Sequence, residues 1–266
     1  MSNIRLRSWR DRLTTTPILS ATGFVMPSVL MTGANRGLGF GLVKLYAVEG
    51  WRVFACCRDP NKAKGLNELA AKSSGKVTVH AVDIENHASI DALALQIKGQ
   101  PIDVLLNVAG YYGPKIVSEP GGLQKFGESD YADWSRIYKI NVMGHMKMCE
   151  ALIENVAASQ HKKIVNISSI VGSIGTIGHG YGGNMYGYRA SKAALNAITR
   201  GMAEDMKARG IIVVAMHPGW VRTDMGGPGA DIDTDTSVKG MKKVIDGLKA
   251  DDIDKFMTHD GSTLPW

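Results

Sequence analysis

Short apolar runs alternate with longer stretches of helical periodicity along most of the chain. The apolar runs predict strands at 28–31, 51–57, 76–82, 102–106, 163–167, 211–216 and 255–259. Apolar residues three and four apart predict helices at 40–48, 62–72, 87–97 and 131–158, one that opens at 188, and one from 234 or 236 to about 248. Strands that alternate with helices at this spacing predict an α/β fold, doubly wound, with a parallel sheet of about seven strands flanked by helices.

Composition and charge divide the 266 residues into a body and a short extension. Residues 1–26 hold four arginines and one aspartate, which is +3 of the formal net charge of +6, so the body is only mildly basic. No run of Lys and Arg interleaved with aromatics is present, and no apolar run is long enough to cross a bilayer. We expect a loosely ordered extension at 1–26 and one domain at 27–266, with no nucleic acid and no membrane as partner.

The cysteines and the extension bear on the compartment. Three cysteines, an odd number, favour a reducing environment with small buried thiols, and we expect a cytoplasmic protein. The Arg-, Ser- and Thr-rich start also resembles a transit peptide that lacks a clear apolar face. An organelle is therefore the alternative location.

A glycine-rich turn joins the first predicted strand to the first predicted helix. Glycines there allow a tight bend and let backbone N–H groups approach a pyrophosphate, which then sits at the positive end of the helix. An ordinary glycine-rich turn has the same composition, but the position between strand and helix favours dinucleotide binding. The candidate contacts are Gly33, Asn35, Arg36, Gly37, Leu38 and Gly39.

The end of the second predicted strand bears on which dinucleotide binds. NAD-selective sites usually place an acid there to accept from the ribose hydroxyls, whereas this chain has Cys57 followed by Arg58. Arg36 should lie on the same side, and two guanidinium groups suit a 2′-phosphate because each planar fork binds phosphate oxygens bidentately. Either arginine alone could be a solvated surface residue. Their joint placement predicts NADPH (NADP+) as the cofactor.

Four polar residues have catalytic potential. Tyr188 and Lys192 are four residues apart and share one helix face, although surface helix pairs often have this spacing too. A free tyrosine titrates near 10, so acid–base work at neutral pH needs a shift of roughly 3 units, and a lysine cation acts in that direction. Ser169 follows the fifth strand, where its hydroxyl can donate to a substrate oxygen. Asn141 interrupts a helical pattern and needs a compensating contact.

Neighbouring residues compete for the same roles. Ser168 immediately precedes Ser169. Tyr181 and Tyr186 lie close to Tyr188, in and after a loop with seven glycines between 170 and 187 that can bend toward a ligand. Only Tyr188 has a lysine at the fourth following position, which favours it as the functional tyrosine.

These motifs together resemble the short-chain dehydrogenase/reductase family over 28–266. The matching residues are Thr32, Gly33, Gly37 and Gly39 in the cofactor turn, Asp83 at the adenine contact, 107–110 in the Asn-Asn-Ala-Gly segment, 218–223 in the nicotinamide-side loop, and Asn141, Ser169, Tyr188 and Lys192 in the catalytic tetrad. The segments 35–36, 185–189, 225–228 and 260–261 are similar to the carbonyl-reductase branch with sniffer-type and C-factor-type proteins. Two features depart from the family pattern: Val108 replaces the second Asn, and the 19 residues from Ser169 to Tyr188 exceed the usual interval.

The resemblance implies a Rossmann-like fold and further cofactor contacts at the carboxyl edge of the sheet. It adds Asp83, Ile84, Asn107, Ala109, Gly110, Pro218, Gly219, Val221 and Thr223, together with Tyr188 and Lys192. Asp83 could instead cap the loop that follows it. The second glycine-rich loop, through 230, is expected to form a mobile lid. No metal is expected.

The resemblance also implies NADPH-dependent reduction of a ketone, aldehyde or quinone to an alcohol, with Tyr188 as general acid. Lys192 would lower the phenol pKa and bind the nicotinamide ribose, and Ser169 would hold the carbonyl oxygen. Asn141 would bend its helix around a water that relays protons to Lys192. The candidate pocket residues indicate an unsubstituted or aromatic small-molecule carbonyl; they are Tyr111, Tyr112, Tyr181, Met185 and Trp220.

Other functions stay open. One alternative is a non-catalytic NADPH-binding signalling or sensor protein of the C-factor type. A second is another reaction of the same family, carried out by an acyl-carrier reductase or a sugar epimerase. The resemblance further implies a homodimer or homotetramer that pairs through helices matching 131–158 and 190–206.

Overall fold

A seven-stranded parallel sheet forms the centre of the protein, for which a computed structural model describes residues 26–116, 119–122, 124–179 and 184–266. Its strands are β1 (Ser28–Met31), β2 (Arg52–Cys57), β3 (Val77–Ala81), β4 (Val104–Asn107), β5 (Lys163–Ile167), β6 (Ile212–His217) and β7 (Phe256–Thr258). They lie in the order β3-β2-β1-β4-β5-β6-β7. The predicted doubly wound α/β fold is confirmed, and the strand ends differ from the predicted ends by one or two residues at most.

Helices cover both faces of this sheet. They are α1 (Gly37–Val48), α2 (Lys64–Lys72), α3 (His87–Gln96), α4 (Tyr131–Tyr138), α5 (His145–Ala157), α6 (Tyr186–Met206) and α7 (Thr234–Gly247). The predicted start of α1 is three residues too late, because the glycine turn itself forms the first helical turn. α2 starts two residues later than predicted, since Asp59 caps a separate 3₁₀ turn at Pro60–Lys62.

The predicted helix at 131–158 is interrupted by a π-helical segment. This segment, Lys139–Gly144, joins α4 to α5 and buries Asn141 completely. Single π turns inside helices occur frequently at functional sites. Gly144 makes the close approach possible, because a Cβ at this position would lie 2.5 Å from the carbonyl oxygen of Ile84. The loop after β3 is therefore packed directly against the π segment.

Two apolar layers enclose the sheet. Alternate residues of β1 point to opposite faces, so Val29 belongs to the layer under α1 and α7, whereas Leu30 belongs to the layer under α3 and α5. Leu42 and Met241 are fully buried in the first layer, and Leu152 is fully buried in the second. Strands buried on both faces explain the near-continuous apolar runs in the sequence.

The order of the strands reverses at β1, which lies between β2 and β4. Val29 is in register with Val53 of β2 on one side and with Val104 of β4 on the other. In open α/β sheets, ligands bind outside the carboxyl ends of the strands at such a switch point. Among the described residues, no helix has the length and apolar character needed to cross a membrane. The predicted extension lies almost wholly outside the described residues.

Candidate active site

A cleft of about 700 Å³ opens at the carboxyl edge of the sheet, at the switch point beside β1. It brings together predicted residues from six separate segments of the chain. Those that line it are Gly33, Asn35, Arg36, Gly37, Leu38, Gly39, Arg58, Asp83, Ile84, Ala109, Gly110, Tyr188, Lys192, Pro218 and Thr223. The predicted residues Asn107, Asn141, Ser169, Gly219 and Val221 lie outside this lining.

The glycine turn forms one wall of the cleft, and two of its glycines have no room for a side chain. A Cβ on Gly39 would lie 2.2 Å from the Gly33 carbonyl oxygen, and a Cβ on Gly33 would lie 3.0 Å from the Cα of Ala109. Gly33 also has a φ of +66°, which favours glycine. The Thr32 hydroxyl accepts the N–H groups of Val108 and Ala109 at 3.0 Å each, which holds the turn against the end of β4.

Charged groups gather at the end of the cleft near β2. Arg36 and Arg58 both line it, as predicted from the sequence, and both are exposed. The Arg36 guanidinium Nη1 lies 2.8 Å from the Asp224 carboxylate, in an ion pair with side chains 71% and 77% exposed. Asp59 and Lys62 also line this end and pair at 3.3 Å. The sequence analysis did not predict Asp224, Asp59 or Lys62 as site residues, although Asp59 and Lys62 follow β2 within five residues.

Asp83 caps the loop that follows it, and its predicted adenine contact stays a prediction. It lines the cleft at the end of β3, and its Oδ1 also accepts the N–H of Glu85 at 3.1 Å. The carboxylate therefore stabilises the loop that follows, through an Asx-type turn. Its second oxygen is the one left for a ligand in the cleft.

The Asn107 side chain lies in the protein interior, and its predicted cofactor contact stays a prediction. Its side chain is completely buried, and Nδ2 donates to the Asn166 Oδ1 at 2.9 Å and to the Cys149 Sγ at 3.3 Å. The side chain joins β4 to β5 and α5 beneath the cleft. It follows that only the residues after Asn107 reach the cleft from this strand.

Gly219 and Val221 support the β6–α7 loop from behind the cleft. Gly219 has a φ of +87°, and a Cβ there would lie 2.6 Å from the Cδ1 of Ile232. Val221 is buried and pairs with Ile232 in an isolated bridge. Both residues thus shape the loop that presents Pro218 and Thr223, and neither lines the cleft itself.

Tyr188 lies at the inner end of the cleft, where the Ser169 side chain is close enough to its phenol to affect its pKa. The Tyr112 ring packs against it, with ring centres 4.9 Å apart. Burial raises the pKa of Tyr188, Tyr112 raises it further, and the Ser169 hydrogen bond lowers it. The prediction that Lys192 lowers this pKa is not met, because desolvation of the phenolate dominates.

Lys192 is on the same face of α6 as Tyr188, as the four-residue spacing predicts. Its Nζ lies 5.6 Å from the Tyr188 ring centre and donates to the Ile167 carbonyl oxygen at 2.7 Å. The side chain is 3% exposed, and burial lowers the pKa of Lys192 to about 7. Gly172 packs on its backbone, since a Cβ on Gly172 would lie 2.7 Å from the carbonyl carbon of Lys192. The amino group is thus held beside the phenol, and no salt bridge joins it to a carboxylate among the described residues.

The Asn141 carboxamide connects the cleft wall to α6. Its Oδ1 accepts the Tyr111 N–H at 2.8 Å, and its Nδ2 donates to the Tyr111 carbonyl oxygen at 2.8 Å and to the Ser191 Oγ at 3.0 Å. These bonds compensate for the buried amide. Both ends of the carboxamide thus have protein partners. The predicted relay of protons through a water near Asn141 stays a prediction.

The competing serine and tyrosines have other partners. Ser168 lines the cleft but is buried, and its Oγ donates to the Asn196 Oδ1 at 2.6 Å. The Tyr186 ring packs edge-on against Phe126, with centres 6.3 Å apart. Tyr181 lies outside the described residues. Within the part of the chain that the structure describes, Ser169 and Tyr188 form the pair.

The predicted substrate-pocket residues divide into two groups. Tyr111 lines the cleft and Tyr112 packs on Tyr188, whereas Met185 and Trp220 do not line the cleft. Trp220 is 45% exposed and donates from Nε1 to the Gly226 carbonyl oxygen at 2.9 Å. The aromatic wall near Tyr188 therefore comes from the segment after β4.

His145 is a buried residue of this region that the sequence reasoning missed. Its Nε2 lies 2.7 Å from the carbonyl oxygen of Ala109, and because a carbonyl only accepts, Nε2 is the protonated nitrogen. Burial, with the nearby Lys192 charge, lowers the pKa of His145 to about 3. It is neutral at physiological pH and holds the end of β4. The signal available in the sequence was a histidine four residues after Asn141, within the predicted helix at 131–158.

Comparison with known proteins identifies the family. The family model described as short chain dehydrogenase matches residues 27–231. The chain belongs to this family. The chain is 36% identical to the C-signal of Myxococcus xanthus over 175 residues. The aligned region covers 66% of this chain and 99% of that protein.

Solved structures of carbonyl reductases share the fold of this short-chain dehydrogenase. Carbonyl reductase Sniffer of D. melanogaster has a TM-score of 0.80 and 32% identity, over 91% of this chain and 100% of that chain. A NADPH-bound carbonyl reductase from chicken fatty liver has a TM-score of 0.81 and 33% identity, over 91% and 99% of the two chains. Both similarities extend over about nine-tenths of this chain.

Proposed function

We propose that this protein is an NADPH-dependent carbonyl reductase, which converts a ketone, aldehyde or quinone to an alcohol with Tyr188 as general acid. One observation carries the proposal: Ser169, Tyr188 and Lys192 come together at the inner end of the cleft, with the Lys192 Nζ 5.6 Å from the Tyr188 ring centre. The glycine turn forms another wall of the same cleft. A site for a reacting carbonyl is therefore continuous with a site for a dinucleotide.

The residues of the cleft fit NADPH. Gly33 and Gly39 have no side chains, so the backbone of the turn can approach a pyrophosphate closely. The guanidinium groups of Arg36 and Arg58 suit a 2′-phosphate. Asp83 and Ile84 would hold the adenine, and the chain from Pro218 to Thr223 would hold the other end. When bound, NADPH supplies the hydride of the reduction. The carbonyl reductase from chicken fatty liver has NADPH bound, which supports this choice of cofactor.

The protein residues supply the proton. Because burial raises the pKa of Tyr188, its phenol is protonated at neutral pH and is ready to donate to the carbonyl oxygen as negative charge develops there. The Ser169 hydroxyl, which is near the phenol, would donate to the same oxygen. The Lys192 Nζ, 5.6 Å from the Tyr188 ring centre, is positioned to bind the nicotinamide ribose at this end of the cleft.

The surroundings of the phenol favour an apolar or aromatic substrate. The Tyr112 ring lies against Tyr188, and the Tyr111 ring is covered by the Arg136 guanidinium at 4.7 Å from the ring centre. No cationic cluster suited to a phosphorylated sugar lies next to Tyr188 among the described lining residues. We therefore propose a small carbonyl compound with an apolar or aromatic body as substrate.

A panel assay tests the reductase proposal. The purified protein should consume NADPH in the presence of at least one member of a panel of quinones, aldehydes, ketones and pteridines. NADH serves as the matched cofactor control, and binding of both cofactors is measured separately by fluorescence. A protein that binds NADPH but reduces no member of the panel contradicts the reductase proposal.

A second candidate function is a signalling or sensor protein that binds NADPH without turnover. The similarity to the C-signal of Myxococcus xanthus favours keeping this candidate. It needs only the nucleotide end of the cleft, so substitution of Tyr188 should leave it intact. The reductase needs the phenol, and the same substitution separates the two functions.

A further inference from the structure

Residues 264–266 pack against the loop that follows Ser169. The Ser173 hydroxyl, which belongs to a completely buried residue, donates to the Pro265 carbonyl oxygen at 2.6 Å. The Gly175 N–H donates to the Trp266 carbonyl oxygen at 3.2 Å. Gly175 is close to Pro265, because a Cβ on this glycine would lie 3.0 Å from the Pro265 Cβ. Three hydrogen bonds, including a longer one of 3.4 Å from the Ser173 hydroxyl to the Trp266 carbonyl oxygen, and a tight apolar contact therefore join the two segments.

The same residues are anchored on the rigid part of the fold. The Leu264 N–H donates to the Phe256 carbonyl oxygen at 2.7 Å, beside β7. The Trp266 ring stacks on the Phe256 ring, with centres 5.6 Å apart and planes inclined by 23°. From α6, the Arg200 guanidinium lies 5.8 Å from the centre of the Trp266 ring. The segment thus connects a strand and a helix to the loop.

The loop in turn is compact and begins at the proposed catalytic serine. The Gly172 N–H donates to the Ser169 carbonyl oxygen at 2.8 Å, and the Thr176 hydroxyl donates to the carbonyl oxygens of Ile170 and Ser173 at 3.1 Å each. Gly172 also packs on the backbone of Lys192. A displacement of Ser173 therefore reaches Ser169 through a short, hydrogen-bonded path.

We propose that Ser173 and Trp266 are positioning residues of the reaction: they clamp the loop so that the Ser169 hydroxyl stays beside the Tyr188 phenol. This inference rests on the proposed reductase function and adds two residues to it. Neither residue lines the cleft, so neither touches the reacting atoms. An error of about 1 Å in a reacting group can lower a rate by roughly a hundredfold, which makes such a clamp consequential.

The test uses Trp266→Ala, Trp266→Phe and Ser173→Ala in the full chain. Trp266→Phe keeps a ring on Phe256 and should retain the clamp, whereas Trp266→Ala removes it. Ile174→Ala is the matched control, since Ile174 is in the same loop and is 71% exposed. Each variant is assayed for kcat and KM with the panel carbonyl that the wild-type protein reduces fastest. NADPH affinity and amide hydrogen exchange of residues 169–176 are also measured.

Trp266→Ala and Ser173→Ala should accelerate amide exchange in the loop by at least about tenfold, because the loop opens locally. Their kcat should fall by roughly ten- to a hundredfold, since the Ser169 hydroxyl loses its fixed position. NADPH affinity should change by no more than about twofold, and Trp266→Phe and Ile174→Ala should behave like wild type.

Two outcomes would overturn the clamp. One is unchanged exchange in the loop of Trp266→Ala. The other is faster exchange with an unchanged kcat, which would make the contact structural only. Failure of the reductase proposal looks different, because the wild-type protein itself would then reduce no carbonyl of the panel.

Discussion

The Arg36 guanidinium and the Asp224 carboxylate meet across the mouth of the cleft, with Nη1 2.8 Å from Oδ2. The pair joins the glycine turn to the β6–α7 loop, two segments 188 positions apart in the sequence. Asp224 thus forms an ion pair with Arg36, the cation that was predicted to bind a 2′-phosphate. The two anions would compete for one guanidinium, so Asp224 should reduce the preference for NADPH.

Asp224→Asn should therefore raise the affinity for NADPH relative to NADH. Because both side chains are largely exposed, the expected gain is small, about two- to fivefold. Titration of cofactor fluorescence measures both dissociation constants. Asp231→Asn, at an exposed acid on the same loop, is the control and should change neither. A lower NADPH affinity in Asp224→Asn would show that the carboxylate assists binding.

The double substitution Arg36→Gln with Arg58→Gln should weaken NADPH far more than NADH. Two charge-assisted contacts at roughly 1.5 to 3 kcal/mol each predict a loss of at least about tenfold in preference. The measurement is again the ratio of the two dissociation constants. Lys64→Gln, outside the cleft lining, is the control. Equal binding of NADH and NADPH by the unmodified protein would refute the cofactor assignment.

Tyr188→Phe should remove turnover and preserve cofactor binding. The ring still packs against Tyr112, but the group that protonates the developing alkoxide is absent, so kcat should fall by roughly 10²- to 10⁴-fold. Steady-state kinetics and NADPH titration check the two halves of this prediction.

Tyr186→Phe is the matched control for the catalytic tyrosine. Tyr186 is two positions away and packs on Phe126, so its hydroxyl should be dispensable. If Tyr186→Phe abolishes reduction and Tyr188→Phe does not, the residue assignment is wrong. If neither variant affects an activity found in the wild type, the mechanism itself is wrong.

Lys192→Met should alter the dependence of stability on pH. Burial lowers the pKa of Lys192 from 10.5 to about 7, so between these values the unfolded chain binds a proton that the folded chain does not. The free energy of unfolding should therefore rise with pH across this window, by up to about 1.4 kcal/mol per pH unit from this group. Lys192→Met should remove that contribution, together with most of the activity.

Denaturant unfolding at several pH values between 7 and 10 measures this effect. Lys207→Met, which removes an exposed lysine just after α6, should leave the pH dependence as in wild type. Identical pH dependence in Lys192→Met and the wild type would mean that Lys192 has no depressed pKa in the folded protein.

Association through α4, α5 and α6 stays a prediction based on the family resemblance. Exposed apolar residues occur on this part of the chain, including Tyr131 at 73% and Met143 at 52% exposure. Their burial in a second copy would stabilise a dimer. Light scattering at micromolar concentration should give at least twice the mass of one chain, 28.6 kDa. A mass of one chain would contradict the prediction.

Local patterns were enough to determine the order of strands and helices, the dinucleotide turn and the shared face of Tyr188 and Lys192. Each of these depends on residues close together in the sequence, where the periods of strands and helices and the requirements of a tight turn act directly. The four-residue spacing therefore predicted correctly that the phenol and the ammonium would be neighbours.

Tertiary packing decided what depends on distant segments. The choice of Ser169 over Ser168 follows from Asn196, which binds Ser168 from α6, and the inward direction of Asn107 follows from its partners in β5 and α5. The raised pKa of Tyr188 depends on burial that no local pattern measures. The Arg36–Asp224 pair likewise forms only when the fold brings two loops together, because side-chain distances across the sheet edge are set by the whole topology.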